Sequence, residues 1–204
     1  MKKLVLLFAT MFLAVTLMAQ EPAKQQEIGL SFYSLNGFGI TYKTGTEKAL
    51  WRFNSIAISG DNNNYSNEYN DEKTSDTSFG ISFGKEFRKA LAENFELRYG
   101  ADLSFRYDQS SNRIEYKENN PFYNYYLQKR ETYTPGLNLV FGINYIINDK
   151  LVIGAELLPG FGYSFGTATH KQSETTDTET EQDISGYNLR ISSSSALLSI
   201  AYRF

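Results

Sequence analysis

From Tyr133 to Phe165, odd-numbered residues are apolar and even-numbered ones are mostly small or polar. The odd positions read Tyr133, Pro135, Leu137, Leu139, Phe141, Ile143, Tyr145 and Ile147. After a short turn they continue Leu151, Ile153, Ala155, Leu157, Pro159, Phe161, Tyr163 and Phe165. Between them lie Thr134, Gly136, Asn138, Gly142, Asn144, Gly154, Glu156, Gly160, Gly162 and Ser164. A repeat of two belongs to extended strands, whose side chains alternate between faces. One face is therefore bulky and aromatic through two whole strands, while the other carries glycine, amides and a carboxylate. A soluble sheet has one core and does not need so long an apolar face. A membrane-spanning barrel does, with lipid outside and a polar interior.

The alternation recurs along the chain. Ile28, Leu30 and Phe32 mark a first strand, Asn36-Gly37 a tight turn, and Phe38, Ile40 and Tyr42 a second strand. A third covers about 50–59. A fourth carries Phe79, Ile81, Phe83 and Phe87, and a fifth Phe95, Leu97, Tyr99, Ala101, Leu103, Phe105 and Tyr107. The stretch above supplies the sixth and seventh, and an eighth runs from about Tyr187 to Phe204. The third strand changes phase between Phe53 and Ile56 and the eighth across Ser192–Ser195, each pointing to a bulge. Pro135 and Pro159 lack a donor and point to bulges or rim positions. The fold class predicted is all-β: an eight-stranded antiparallel up-and-down transmembrane β-barrel.

The two ends fit this reading. Met1-Lys2-Lys3 is basic, Leu4 to Met18 is apolar, and Ala19-Gln20 is a cleavage point, the pattern of a secretory signal peptide. The run is shorter than the ~20 residues of a spanning helix. Residues 1–19 are read as signal peptide and 20–204 as one barrel domain. At the other end Leu198, Ile200, Tyr202 and Phe204 alternate down to a terminal aromatic carboxylate. This resembles the C-terminal signal by which bacterial outer-membrane barrels are recognised by the barrel-assembly machinery.

Removing residues 1–19 takes two lysines and no acids, leaving 18 basic and 23 acidic side chains, a formal charge of −5. A mildly acidic chain is a poor nucleic-acid binder. The chain has no cysteine. That excludes disulfides, thiolate metal sites and a lipidated cysteine. Its mean hydropathy of −0.41 contradicts a helical membrane protein but suits a barrel, where only alternate residues meet lipid. No cofactor is called for.

The connections divide by length. Turns near Thr46, Ala92 and Asp149 are short, while 61–76, 108–131 and 167–185 read as long hydrophilic loops. Short periplasmic turns and long outer loops are the asymmetry of outer-membrane barrels. With signal peptide, alternation, length asymmetry and terminal Phe in place, the whole mature chain resembles the small eight-stranded OmpX and OmpA-barrel type. That resemblance implies the outer membrane of a Gram-negative bacterium, a monomer, and outer-membrane lipid and lipopolysaccharide as neighbours. The type includes adhesins, membrane-integrity proteins and a few enzymes, so it fixes location better than activity.

By phase, Glu86, Arg88, Glu96, Arg98, Asp102 and Arg106 point inward, joined by Glu156, Arg203 and Lys43. Eight strands leave an interior that side chains can fill, and buried charges must be paired. The mixed signs predict a salt-bridged plug rather than a charged pore. Avoiding like charges face to face, the fourth and fifth strands are expected to set Arg88 opposite Glu96 and Glu86 opposite Arg98.

His170, the single histidine, precedes Ser173 in a polar segment. Outer-membrane lipid-A deacylases show a His-x-Ser pattern on a lipid-facing strand; here the spacing is longer, and Ser–His chemistry needs an orienting third group. Asp61, Asn63 and Glu72 fall at positions 1, 3 and 12 of a calcium loop, but Tyr65 and Ser66 break the pattern. Tyr116, Phe122, Tyr123, Tyr125 and Tyr126 form an aromatic outer surface suited to contact. The expected function is a structural or adhesive outer-membrane barrel without enzymatic activity, open to an extracellular ligand of unspecified chemistry. A narrow channel and a lipid-A-modifying enzyme remain the alternatives.

Overall fold

A computed structural model describes residues 25–34, 37–117, 125–173, 177–190 and 196–204. Ten antiparallel strands and no helix occur among them: β1 (Gln25–Ser34), β2 (Gly37–Thr46), β3 (Ala49–Ser66), β4 (Asn70–Ala92), β5 (Phe95–Tyr116), β6 (Tyr125–Ile147), β7 (Leu151–Leu157), β8 (Gly160–Ser173), β9 (Asp177–Arg190) and β10 (Ala196–Arg203). The segment read as a signal peptide lies outside the described residues.

Each strand from β1 to β6 pairs with the next, β6 pairs with β7, β7 with β10, and β10 with β1. The pairings thus return to their start. β8 also pairs with β6, and β9 with β8. Alternation sorts the side chains by face. Leu103, Leu137, Phe141, Ile153, Leu198 and Ile200 are exposed on the outward face, whereas Glu86, Arg98, Asp102 and Asn144 are buried on the enclosed one.

The turns are built from local chemistry. Asn148 and Asp149 both take positive φ (51° and 61°), the twist that a tight hairpin between β6 and β7 requires. Between β3 and β4 the Asn67 side-chain oxygen accepts from the backbone N–H groups of Tyr69 and Asn70, each at 2.8 Å, an Asx turn.

Three expectations are corrected. The segments 61–76, 108–131 and 167–185 are not long loops. β3 and β4 stay paired to Ser66 and Asp71, β5 and β6 to Glu115 and Tyr125, and β8 and β9 to Ser173 and Asp177. Both faces there are wet, so the apolar alternation that marks the lower strands disappears while pairing continues. Pro135 and Pro159 make no bulge: β7 and β8 hold one register on β6 from Leu151 to Ser173. Between them Leu139 N–H donates to the Pro159 carbonyl at 2.8 Å. Finally, Arg88 lies opposite Arg98, not Glu96, and Glu86 lies opposite Gly100. The phase change in β3 coincides with a register shift between Ile56 and Ser59. The change across Ser192–Ser195 lies outside the described residues.

Candidate functional site

The enclosed face carries the chemistry. One row of paired residues runs Arg203, Glu27, Lys43, Arg52, Gly84, Asp102, Asn138 and Gly160 through eight successive strands. A second runs Arg88, Arg98, Gly142 and Glu156. Glycine recurs beside the large charged groups. A Cβ on Gly142 would stand 2.9 Å from Arg98 Nε, and one on Gly154 2.7 Å from Arg98 Nη2. The glycines are the hollows into which guanidinium groups fold.

The charges join into one network. Glu86, fully buried, takes Lys43 Nζ at 2.8 Å, Arg52 Nη1 at 3.1 Å, Arg88 Nε at 2.7 Å and Arg98 Nη1 at 4.0 Å. Arg52 also forks onto Glu156 with bonds of 3.0 and 2.9 Å and lies 3.2 Å from Asp102. Arg88 forks onto Glu27 at 2.6 and 2.7 Å. Arg98 reaches Glu156 at 3.3 Å. Arg203 links Glu27 (2.8 Å) to Glu96 (3.1 Å) at the half-open end. Five carboxylates and five cations are thereby gathered, so the cluster is neutral with every member paired. This is the condition under which buried ions are tolerated.

The register that sequence reasoning rejected is explained here. Arg88 and Arg98 stand face to face, but they turn apart, Arg88 to Glu27 and Arg98 to Glu156, and Glu86 sits between them. Partners reach across the interior from β1 and β7, so nearest-neighbour repulsion on one pair of strands does not decide the register. Arg88–Glu96 and Arg98–Glu86 do come within 3.4 and 4.0 Å, as diagonals.

Of the residues singled out from sequence, Glu86, Arg88, Glu96, Arg98, Asp102, Glu156, Arg203 and Lys43 come together. Arg106 does not: it is exposed and forks onto Asp108 at 2.8 and 2.9 Å. Glu27 and Arg52 were missed, although phase gives both. Glu27 precedes the outward Ile28, and Arg52 lies between the apolar Trp51 and Phe53. Beyond the cluster the enclosed face opens into a polar basin of about 330 Å³, lined by Arg106, Asp108, Arg130, Thr134, Ser164 and Asn188 among others.

The aromatic surface divides. Tyr125 lies under Arg113 (5.4 Å to the ring) while Tyr126 donates toward or accepts from His170 Nδ1 at 3.2 Å. Tyr116 is half-buried at the end of β5, and Phe122 and Tyr123 lie outside the described residues. His170 thus meets a tyrosine, and the Ser173 side chain is not described. Asp61 and Asn63 lie on β3 and Glu72 on β4, paired with other strand residues rather than wrapped as a loop. Leu198, Ile200, Tyr202 and Phe204 all face outward, 47–62% exposed.

No family model and no curated protein matches the chain. Among solved structures it is similar to a major outer membrane protein from Thermus thermophilus. That likeness has 13% identity and a TM-score of 0.48, covering 90% of this chain and all of the other. It is also similar to CarO of Acinetobacter baumannii, at 8% identity and a TM-score of 0.35, covering 90% and 97%.

Proposed function

We propose that the chain is a monomeric outer-membrane protein: an eight-stranded up-and-down barrel of the small OmpX or OmpA-barrel kind, structural or adhesive, with a non-conducting interior. On this reading β7 with β8, and β9 with β10, each count as one membrane-crossing strand. The observation that carries it is the inversion of faces. Apolar side chains stand exposed on the outward face of the lower strands, while paired charges are buried inside. Water would not stabilise that arrangement; hydrocarbon outside the lower strands, whose pairings run from β1 through β7 and β10 back to β1, would. Outer-membrane lipid and lipopolysaccharide are then its neighbours, and the paired outer hairpins its contact surface.

The test has two parts. Detergent-folded protein should migrate differently before and after boiling and give a β-type circular dichroism spectrum. In planar bilayers it should show no stable conductance. Identical mobility in both lanes would reject the barrel, and steady single-channel steps would reject the sealed interior.

A further inference from the structure

Two charged side chains point outward from the strands of the lower half among the described residues, Lys85 and Lys89, both on β4. Their even-numbered neighbours Ser82, Gly84, Glu86 and Arg88 are buried on the enclosed face, so the odd positions face out. Lys89 shares a row with Leu97 and Ile143, one step from Phe95 and Tyr145 at the end of the sheet. Lys85 lies two rows deeper, beyond Phe87, Tyr99 and Phe141. Four residues of strand make about 13 Å, or about 10 Å along the membrane normal at an ordinary barrel tilt. On the β3 side Lys85 pairs with Trp51, one row from Ala49 at the start of β3, so it sits at the lower margin of the apolar face.

Its ammonium has no carboxylate in ion-pair range among the described residues. It lies instead over two rings, 5.0 Å from the Trp51 centroid and 5.7 Å from that of Phe87. Trp51 is fixed in turn by stacking on Phe83 at 5.1 Å with an interplanar angle of 3°. Phe87 is one row nearer the end of the sheet, so the chain leans that way, as a snorkelling lysine does. On its other side the strand partner is Ala101, a gap in an otherwise bulky surface. An ammonium in hydrocarbon is costly without an anion, and ring faces supply only part of what it needs.

We propose that Lys85, Trp51 and Phe87 form a binding site for the phosphate of one glycerophospholipid in the periplasmic leaflet. The ammonium pairs with the phosphate, and an acyl chain lies over Ala101 between Tyr99 and Leu103. The proposal rests on the outer-membrane reading above, with the turn at 93–94 on the periplasmic side.

The protein is folded into vesicles of phosphatidylglycerol and monogalactosyl diacylglycerol and extracted gently. Native mass spectrometry then counts retained lipid, with a heat-shifted gel band as the folding control. The wild-type chain should retain one phosphatidylglycerol and no galactolipid, Lys85→Arg and Lys89→Met should do the same, and Lys85→Met should lose at least tenfold. Trp51, the only tryptophan, gives a second readout: brominated phosphatidylglycerol should quench it strongly in the wild type and weakly in Lys85→Met. Equal retention and quenching in both chains would overturn the site while leaving the barrel standing. So would a carbodiimide cross-link from Lys85 to a second copy, which would make its partner a carboxylate. A wild-type chain without a shifted band would overturn the barrel and the site together.

Discussion

Glu86 holds the interior charges together more than any other residue. It faces four cations from four strands, Lys43, Arg52, Arg88 and Arg98, and is fully buried. Replacing it with glutamine leaves those cations short of one negative charge in a dry site. Unpairing a buried ion costs about 3–5 kcal/mol, so Glu86→Gln should lower unfolding stability by that order in urea titrations of the lipid-embedded protein. Arg98→Ala should cost less. Its partners keep other cations: Glu156 retains the Arg52 fork, and Glu86 retains three neighbours. Arg106→Ala, on an exposed pair with Asp108, should cost under about 1 kcal/mol. An Arg106 effect as large as that of Glu86 would show that the interior network is not the stabilising element. Phase alone marks Glu27, Arg52 and Glu86 as inward. No phase marks which carboxylate each arginine reaches, because that depends on how far the interior is across.

The lower parts of the strands are legible because apolar residues alternate strictly on one face, as in Leu137, Leu139 and Phe141 or Leu198, Ile200 and Tyr202. Above the apolar band the constraint lapses. Asp61 to Ser66 and Asn70 to Ser75 read as loop because neither face is apolar, yet they pair as strand. Register is the harder quantity, since a two-residue slip preserves every face assignment. For β4 and β5 the sequence favoured Gly80 opposite Ser104, whereas Ser82 is the partner found. The absence of cysteine makes this directly measurable. Residues directly opposite in an antiparallel pair lie about 4.5–5.5 Å apart at Cα, within disulfide range. Ser82→Cys with Ser104→Cys should oxidise to a disulfide in the folded protein, and Gly80→Cys with Ser104→Cys should not. The reverse result would restore the register in which Arg88 faces Glu96.

At the scale of the whole molecule the enclosed space has two unlike halves. The lower is filled by ten paired charges with Leu50, Val140 and Val152 packed beside them. The upper is the open polar basin, whose walls come from β5, β6, β8 and β9; the β3–β4 hairpin also runs on beyond the charge cluster. The β3–β4 hairpin is paired up to Ser66 and Asp71, and nicking concentrates where backbone is unpaired. A broad-specificity protease added to intact cells should therefore cut at Asn67–Tyr69 well before 60–66 or 71–78, although all of these are polar. The two halves also predict a one-sided accessibility. Ser110 lines the basin, while Asp149 sits in a turn at the opposite end. In intact cells a membrane-impermeant maleimide should label Ser110→Cys and spare Asp149→Cys, and permeabilising the outer membrane should expose the second. Labelling of Asp149→Cys alone would invert the topology. Labelling of both at equal rates through a sealed membrane would mean that the charge cluster lets a small solute pass, and the interior would have to be read as a channel.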